Sequence, residues 1–355
     1  MPSASVAAAG AGLALMFALF PYGAGWGDQP TSVVSNLLWM WKHAKEWEHC
    51  QLVPLISLFI IWLDREKLRD VPWEGQISGL YLFLLGMGLF WVGYLIDIVV
   101  FSFLVFHLMI GATAVWLFGW PLLRAVFFPY AFLFFAWPMP FLEATIAFPL
   151  RDIMARFSHG FLNLIGLDVL RVGTSIVSAP DPVRGLAQGA RFALDVADPC
   201  SGIRSLFALT MVSALFAYFG TTKDDTLAGW RKQVAGGPFW QRGCVEFLAF
   251  FTDHWRGWLV FLSAAPFAVL GNFCRILMLT FGTLLLGSKV AIGDLEHPST
   301  YHMASGFLVF GVALGGMFTW GWFLNEGCKT LIERSKGLYA VIGAVKSPPQ
   351  PGKEF

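Results

Sequence analysis

From Trp258 to Leu286 the chain carries a single charged side chain, Arg275, and nothing else that would keep the stretch in water. A spanning helix needs roughly 20 mostly apolar residues to cross about 30 Å of hydrocarbon, and this stretch exceeds that length. Counted with it, about eight runs of this kind are bounded by charge or turn residues. They lie near 4 to 24, 50 to 63, 77 to 95, 97 to 118, 121 to 139, 201 to 219, 257 to 286 and 303 to 324. The second ends in the charged run from Asp64 to Asp70, and the third and fourth meet at Asp97. With 57% of the residues hydrophobic and only 13% charged, a soluble chain would lack the polar surface to cover its core, so the bilayer is the expected solvent. The first run has no basic segment before it and its small residues are spread along it, which reads as an uncleaved span rather than a signal peptide.

The long stretch from 143 to 199 is too polar to span. It opens with an amphipathic piece, Ala144 to Ile165, interrupted by Arg151, Arg156 and His159, expected to lie on the membrane surface. Val169 to Val177 and Arg191 to Val196 then flank Ala179-Pro180-Asp181-Pro182 and read as two short strands joined by a loop. The expected fold is therefore an all-α polytopic membrane protein of about eight transmembrane helices, with an amphipathic helix and a short β-hairpin inserted before helix 6. It divides into an N-terminal five-helix region (1–142), the inserted helix and hairpin (143–199), transmembrane helices 6 to 8 (200–325) and a cytoplasmic tail (326–355).

Basic residues cluster in alternate loops: Arg65, Lys67 and Arg69; Arg124; Lys223, Arg231, Lys232, Arg242 and Arg256; Lys329, Arg334 and Lys336. Positive loops stay in the cytoplasm, so both termini are expected inside and the 143–199 insert outside, together with the start of the sixth span and the 287–302 loop. The net charge of +1 excludes a nucleic-acid partner, which would require clustered excess Lys and Arg. The five cysteines, Cys50, Cys200, Cys244, Cys274 and Cys328, are odd in number and form no CxxC pair, so neither a disulfide framework nor a zinc cluster is indicated.

Three residues meet on the expected outer side. Cys200, in Asp198-Pro199-Cys200-Ser201-Gly202-Ile203-Arg204, stands where the insert turns into the sixth span. The unpaired amides of a helix start favour an anion and raise a thiol's thiolate fraction. A small buried cysteine at a helix end fits the same heptapeptide. Arg275, in Gly271-Asn272-Phe273-Cys274-Arg275-Ile276-Leu277, is an intramembrane charge and so a functional candidate, costing at least a few kcal/mol at a bilayer centre. It lies about 16 Å of helix from the outer end of its span, a gap that snorkelling shortens. Asn272 shares its face and could orient it. The alternative is a structural arginine satisfied by a neighbouring helix. His302, in Pro298-Ser299-Thr300-Tyr301-His302, starts the eighth span, and an unperturbed pKa near 6.5 suits it to receive a thiol proton. Cys with His is the usual thiol-activating pair.

These blocks, Asp198 to Leu206, Asn272 to Ile276, and His302, resemble the signature segments of the exosortase/archaeosortase family of membrane cysteine transpeptidases. Leu52-Val53-Pro54-Leu55-Ile56-Ser57-Leu58 and the segment from Phe128-Pro129 to Trp137-Pro138-Met139-Pro140 extend the resemblance to roughly 45 to 310. Pro199 departs from the alanine common at that position. The resemblance implies Cys200 as nucleophile, Arg275 as the essential arginine that stabilises the oxyanion, and His302, the residue of the bacterial branch, as base or thiolate partner. Arg204, four residues after Cys200, is a second oxyanion candidate. The resemblance also implies substrates: secreted, membrane-anchored proteins ending in a Pro-Glu-Pro-type motif, a hydrophobic helix and a basic tail. Each would be cleaved through a thioester at the outer face of a bacterial inner membrane and passed to an amine or hydroxyl acceptor, such as a lipid or polysaccharide, or to water. No cofactor is expected. Arg151, Arg156, Arg171 and Arg184 could attract the acidic motif residue or anionic lipid.

The rival from another class is a multispanning transporter with Arg275 in a substrate site, the Gly-rich seventh span being a broken helix. No two-fold repeat in the hydropathy supports it. Zinc and serine proteases are disfavoured because HExxH and GxSxG are missing. His297 and His302 have no third metal ligand in the sequence nearby, and a redox pair of Cys50 with Cys200 is a further option.

Overall fold

The computed structural model describes residues 3–22, 31–139, 141, 142, 145, 146, 148–195, 202–222, 224–293 and 299–327. Cys200, His297, Pro199 and Cys328 lie outside the described residues, and Arg204 is described in its backbone alone. The chain forms two compact units, 1–150 and 151–355.

The first unit is helical. α1 (Ser3–Leu13) continues into a π turn, Ala14–Leu19. α2 (Val33–His43) is capped by Ser32, whose Oγ accepts from Ser35 N, and a 3-10 turn (Lys45–Leu52) leads to α3 (Val53–Leu63), with Pro54 in its first turn. α4 (Arg65–Arg69) carries the charged run. α5 (Ile77–Ile96) and α6 (Val99–Ala125) form an antiparallel hairpin hinged at Asp97, which takes the left-handed conformation (φ 54°). Gly79, Gly86 and Gly93 repeat at seven-residue spacing along the buried seam of α5. A Cβ on Gly79 would come 2.1 Å from Trp116 N, and one on Gly86 2.4 Å from Met109 Cγ, so only small residues allow this approach. Cys50 is buried in this unit.

The run near 121 to 139, expected as one spanning helix, is not one. α6 bends at Gly119 (φ 88°) and stops at Ala125, then α7 (Phe127–Phe132) and a 3-10 turn (Leu133–Ala136) follow. Pro121, Pro129 and Pro138 each remove a backbone donor, and the segment breaks up accordingly.

The second unit opens with α8 (Phe148–Leu164), amphipathic as expected. The hairpin expected after it is a three-stranded antiparallel sheet in the order β1 (Val169–Val172), β2 (Ser175–Ser178), β3 (Ala193–Asp195). The stretch read as one strand from Val169 to Val177 folds on itself, Val172 pairing with Ser175 across a two-residue loop that begins with Gly173 (φ 63°). Then come α9 (Gly202–Gly220), α10 (Ala228–Val234), α11 (Phe239–Thr252), α12 (Trp255–Leu286), α13 (Ser288–Ala291) and α14 (Thr300–Trp322), which ends in a π turn, Phe323–Gly327. α12 runs unbroken through Pro266, so the broken helix of the transporter alternative is not formed.

Among the described residues, four helices are long and apolar enough to cross a membrane: Ile77–Ile96, Val100–Ala125, Trp255–Leu286 and Thr300–Gly327. Four shorter apolar helices, Ala8–Leu19, Trp47–Leu63, Phe127–Ala136 and Leu206–Gly220, account for the remaining runs among the described residues. The structure thus supports a mostly helical membrane protein with one small sheet, with four full-length spans among the described residues, and not the count of eight. Leu95, Leu285 and Phe307 are each more than three-quarters exposed, the inverse of a soluble surface.

Candidate active site

The second unit is built on α12. Its 32 residues span about 48 Å, well beyond the roughly 30 Å of a hydrocarbon core. The step from Trp255 to Arg275 alone covers about 30 Å. Arg275 therefore fits an interfacial level better than the bilayer centre assumed from sequence, and the last three turns of α12 project beyond it. Those turns are not bare. Ile276 and Leu279 share a buried cluster with Met154, Ala155 and Leu162 of α8 and with Val169, Ile176, Phe192 and Leu194 from the sheet region. Phe273 packs edge-on against Phe157 and Phe161, with centroids 4.9 and 5.3 Å away. Arg171 of β1 ties the sheet to α8 through Asp152 at 2.6 Å, and Arg156 shares that carboxylate. Hydrogen bonds from Arg156 and Arg171 hold the Asp152 carboxyl below the usual carboxylate range. Two of the arginines expected to draw in an acidic motif are therefore already paired within the insert, and Arg184 lies 3.8 Å from Asp181.

Arg275 meets α14. Its Nη2 donates to His302 Nε2 at 2.9 Å. The contact depends on the small residues between the helices. A Cβ on Gly306, one turn after His302, would stand 3.3 Å from Nη2, and one on Gly271 3.0 Å from Val309 Cγ1. His302 is 4% exposed, and its backbone is fixed by a cap: Ser299 Oγ accepts from His302 N at 3.0 Å and donates to Ala291 O at 3.1 Å. Tyr301 lies over Gly282 and donates to Met278 O at 2.9 Å. Asn272, one turn before Arg275, is buried.

The third helix is registered by Ser213, whose Oγ donates to Val260 O at 2.7 Å. From that crossing α9 climbs about 16 Å to Gly202, while α12 climbs about 22 Å to Arg275. Helical side chains lean toward the N-terminus, so the guanidinium reaches back toward the level where α9 starts. Leu206 packs against the cluster of Leu209, Ala264, Ala268 and Ala313, which keeps the start of α9 on α12.

The structure thus joins Arg275 to His302 and buries Asn272 nearby. Cys200 lies outside the described residues, between the end of β3 at Asp195 and the start of α9 at Gly202. Sequence reasoning assigned no role to Ser299 and Gly306. The signals were a serine three residues before the histidine, as in an N-cap, and a glycine at i+4 on its face. No group of His, Cys, Asp and Glu suited to a metal is found among the described residues.

The fold defines a helical, multi-pass membrane protein whose polar site lies where two long helices meet beneath a small sheet. The chain belongs to the transmembrane exosortase family, whose model matches residues 41–227. Membership carries a membrane transpeptidase-type role in general. The matched segment includes Cys200 and stops before Arg275 and His302, a narrower range than the 45 to 310 read by resemblance. No curated protein and no solved structure matches the chain.

Proposed function

We propose that this protein is a cysteine transpeptidase that removes C-terminal sorting signals, a Pro-Glu-Pro-type motif followed by a hydrophobic helix, from secreted membrane-anchored proteins. Cys200 is the nucleophile. Its sulfur attacks the scissile carbonyl, the C–N bond breaks, and the acyl group stays on sulfur as a thioester while the departing amine gains a proton. An amine or hydroxyl of a lipid or polysaccharide acceptor then attacks the thioester and frees the thiolate. Arg275 and His302 are the polar pair that serves this chemistry, with Asn272 and Arg204 as supporting residues.

The observation that carries the reading is the Arg275 to His302 contact, at the end of the bundle from which α9 starts two residues after Cys200. A guanidinium held there against a buried imidazole by glycine and a helix cap is costly to maintain without a chemical use. On this reading residues 200–325 form the catalytic helices and 143–199 cover them on the extracytoplasmic side of a bacterial inner membrane. The basic residues Arg231, Lys232, Arg242 and Arg256 gather at the opposite end, consistent with the cytoplasm there.

The test is Cys200→Ala in the native host. Precursors with intact C-termini should accumulate in the membrane, and processing at the wild-type level would overturn the proposal.

A further inference from the structure

A guanidinium has only donors and stays protonated in proteins. Because Arg275 Nη2 lies 2.9 Å from His302 Nε2, that ring nitrogen must offer its lone pair. A neutral imidazole has a single N–H, which then sits on Nδ1. Protonating Nε2 as well would set N–H against N–H beside a cation. Nδ1 itself is buried, and nothing among the described residues accepts from it. A buried N–H with no acceptor is costly, so the site is built for an acceptor that arrives.

We infer that Arg275 acts through His302, holding the imidazole as its neutral Nδ1–H tautomer so that His302 donates a hydrogen bond to the oxygen of the carbonyl under attack. This rests on the transpeptidase reading and changes the roles within it. His302 is a catalytic donor rather than the base that takes the thiol proton, and Arg275 is a positioning residue. The thiol releases its proton to water before attack. The thiolate bonds to the carbonyl carbon, the C=O pair moves to oxygen and returns as the C–N bond breaks, and the amine takes a proton from water, so the two exchanges with water cancel.

The surroundings agree with a fixed donor. Gly306 leaves the guanidinium room on α14, Ser299 locks the His302 backbone, and Ser305 Oγ donates to His302 O at 2.7 Å. The charged and titratable groups on the elements packed against α14 are few. α12 contributes Arg275 with Cys274 beside it, and Arg256 at its far end; α13 contributes the exposed Lys289, α14 itself Tyr301, whose hydroxyl is bound to Met278 O, and α9 from Leu206 to Gly220 only Tyr218, with no Asp, Glu, Lys or Arg.

The direct test is two-bond nitrogen–proton NMR of the full chain in nanodiscs with 15N-histidine, His302 being assigned by its loss in His302→Asn. The expected spectrum is a neutral Nδ1–H ring at pH 7, and a ring that takes up a proton more readily in Arg275→Gln. An Nε2–H tautomer or an imidazolium in the wild type at pH 7 would overturn the inference. Processing assays add a second readout. His302→Asn keeps a donor and has no base, so it should stay within about tenfold of wild type with an unchanged pH profile, while His302→Ala should lose roughly 10² to 10³-fold. An Asn variant that is folded and as inactive as Ala would overturn the donor role. Unimpaired processing by Cys200→Ala would instead remove the transpeptidase reading and leave the NMR result standing.

Discussion

The two ends of the α9, α12 and α14 bundle solve the same problem in opposite ways. At the Arg256 end, cations face carboxylates. Arg256 and Trp255 both donate to Asp224 at 2.8 Å, and Arg231 donates to Asp253 at 2.7 Å and to Glu246 at 3.2 Å. Asp253, whose side chain has no exposed surface, also accepts from Thr226 N at 3.0 Å, and Asn325 joins the end of α14 to Gly220 O. At the other end the guanidinium of Arg275 donates to a ring nitrogen, and the far side of that ring waits for a partner. A lattice of opposite charges holds helices together. The hydrogen bond between a guanidinium and an imidazole is not a pairing of opposite charges.

This contrast predicts effects that separate by end. Arg275→Ala should cut processing by at least about 10²-fold and leave the unfolding temperature in detergent nearly unchanged, since the loss is of transition-state stabilisation. A large fall in both would make Arg275 a scaffold residue. Gly306→Val should come next, because its side chain displaces the guanidinium. A roughly tenfold loss in processing is expected, with Gly306→Ala milder, the 3.3 Å contact being one that a small shift relieves.

Asp253→Ala should do the reverse, lowering the unfolding temperature by a few degrees while the folded fraction still processes substrate. The same end should be acid-sensitive. Burial pushes the carboxyls of Asp253 and Asp224 up, but hydrogen bonds from Arg231 and Thr226 to the first, and from Arg256 and Trp255 to the second, outweigh it and leave both below the ordinary carboxylate range. A depressed carboxylate adds stability above its unfolded pKa near 3.9 that is lost as the pH falls through its folded value. Melting temperature should therefore fall below about pH 4, less steeply in Asp224→Asn than in wild type. Equal slopes would mean that this lattice is not what acid dissolves.

Much of this bundle is legible in the sequence. The apolar runs that became α5, α12 and α14, the amphipathic α8, and Arg275 and His302 themselves all stand out from their neighbours by charge and spacing. Other features depend on local chemistry that hydropathy does not weigh. Prolines divide the run near 121 to 139, and Gly173 folds one apparent strand into two. α11 passes for a basic loop because its buried stripe is only Val245 and Ala249. The contact between Arg275 and His302 is a matter of helix register, which follows from close packing at Gly271, Gly282 and Gly306. The full length of α12, 32 residues, fits Arg275 to an interfacial level, where its apolar run alone had implied the middle of the membrane.

The central proposal is that Cys200 works with this pair, and the pH dependence of its alkylation tests it most directly. In protein with Cys50, Cys244, Cys274 and Cys328 replaced by alanine, the alkylation midpoint of Cys200 should lie well below the ordinary thiol value of about 8.5. Arg275→Gln and His302→Ala should each move it back toward that value. A midpoint identical in all three proteins would mean that Cys200 does not sense Arg275 or His302, and the site as described would be wrong.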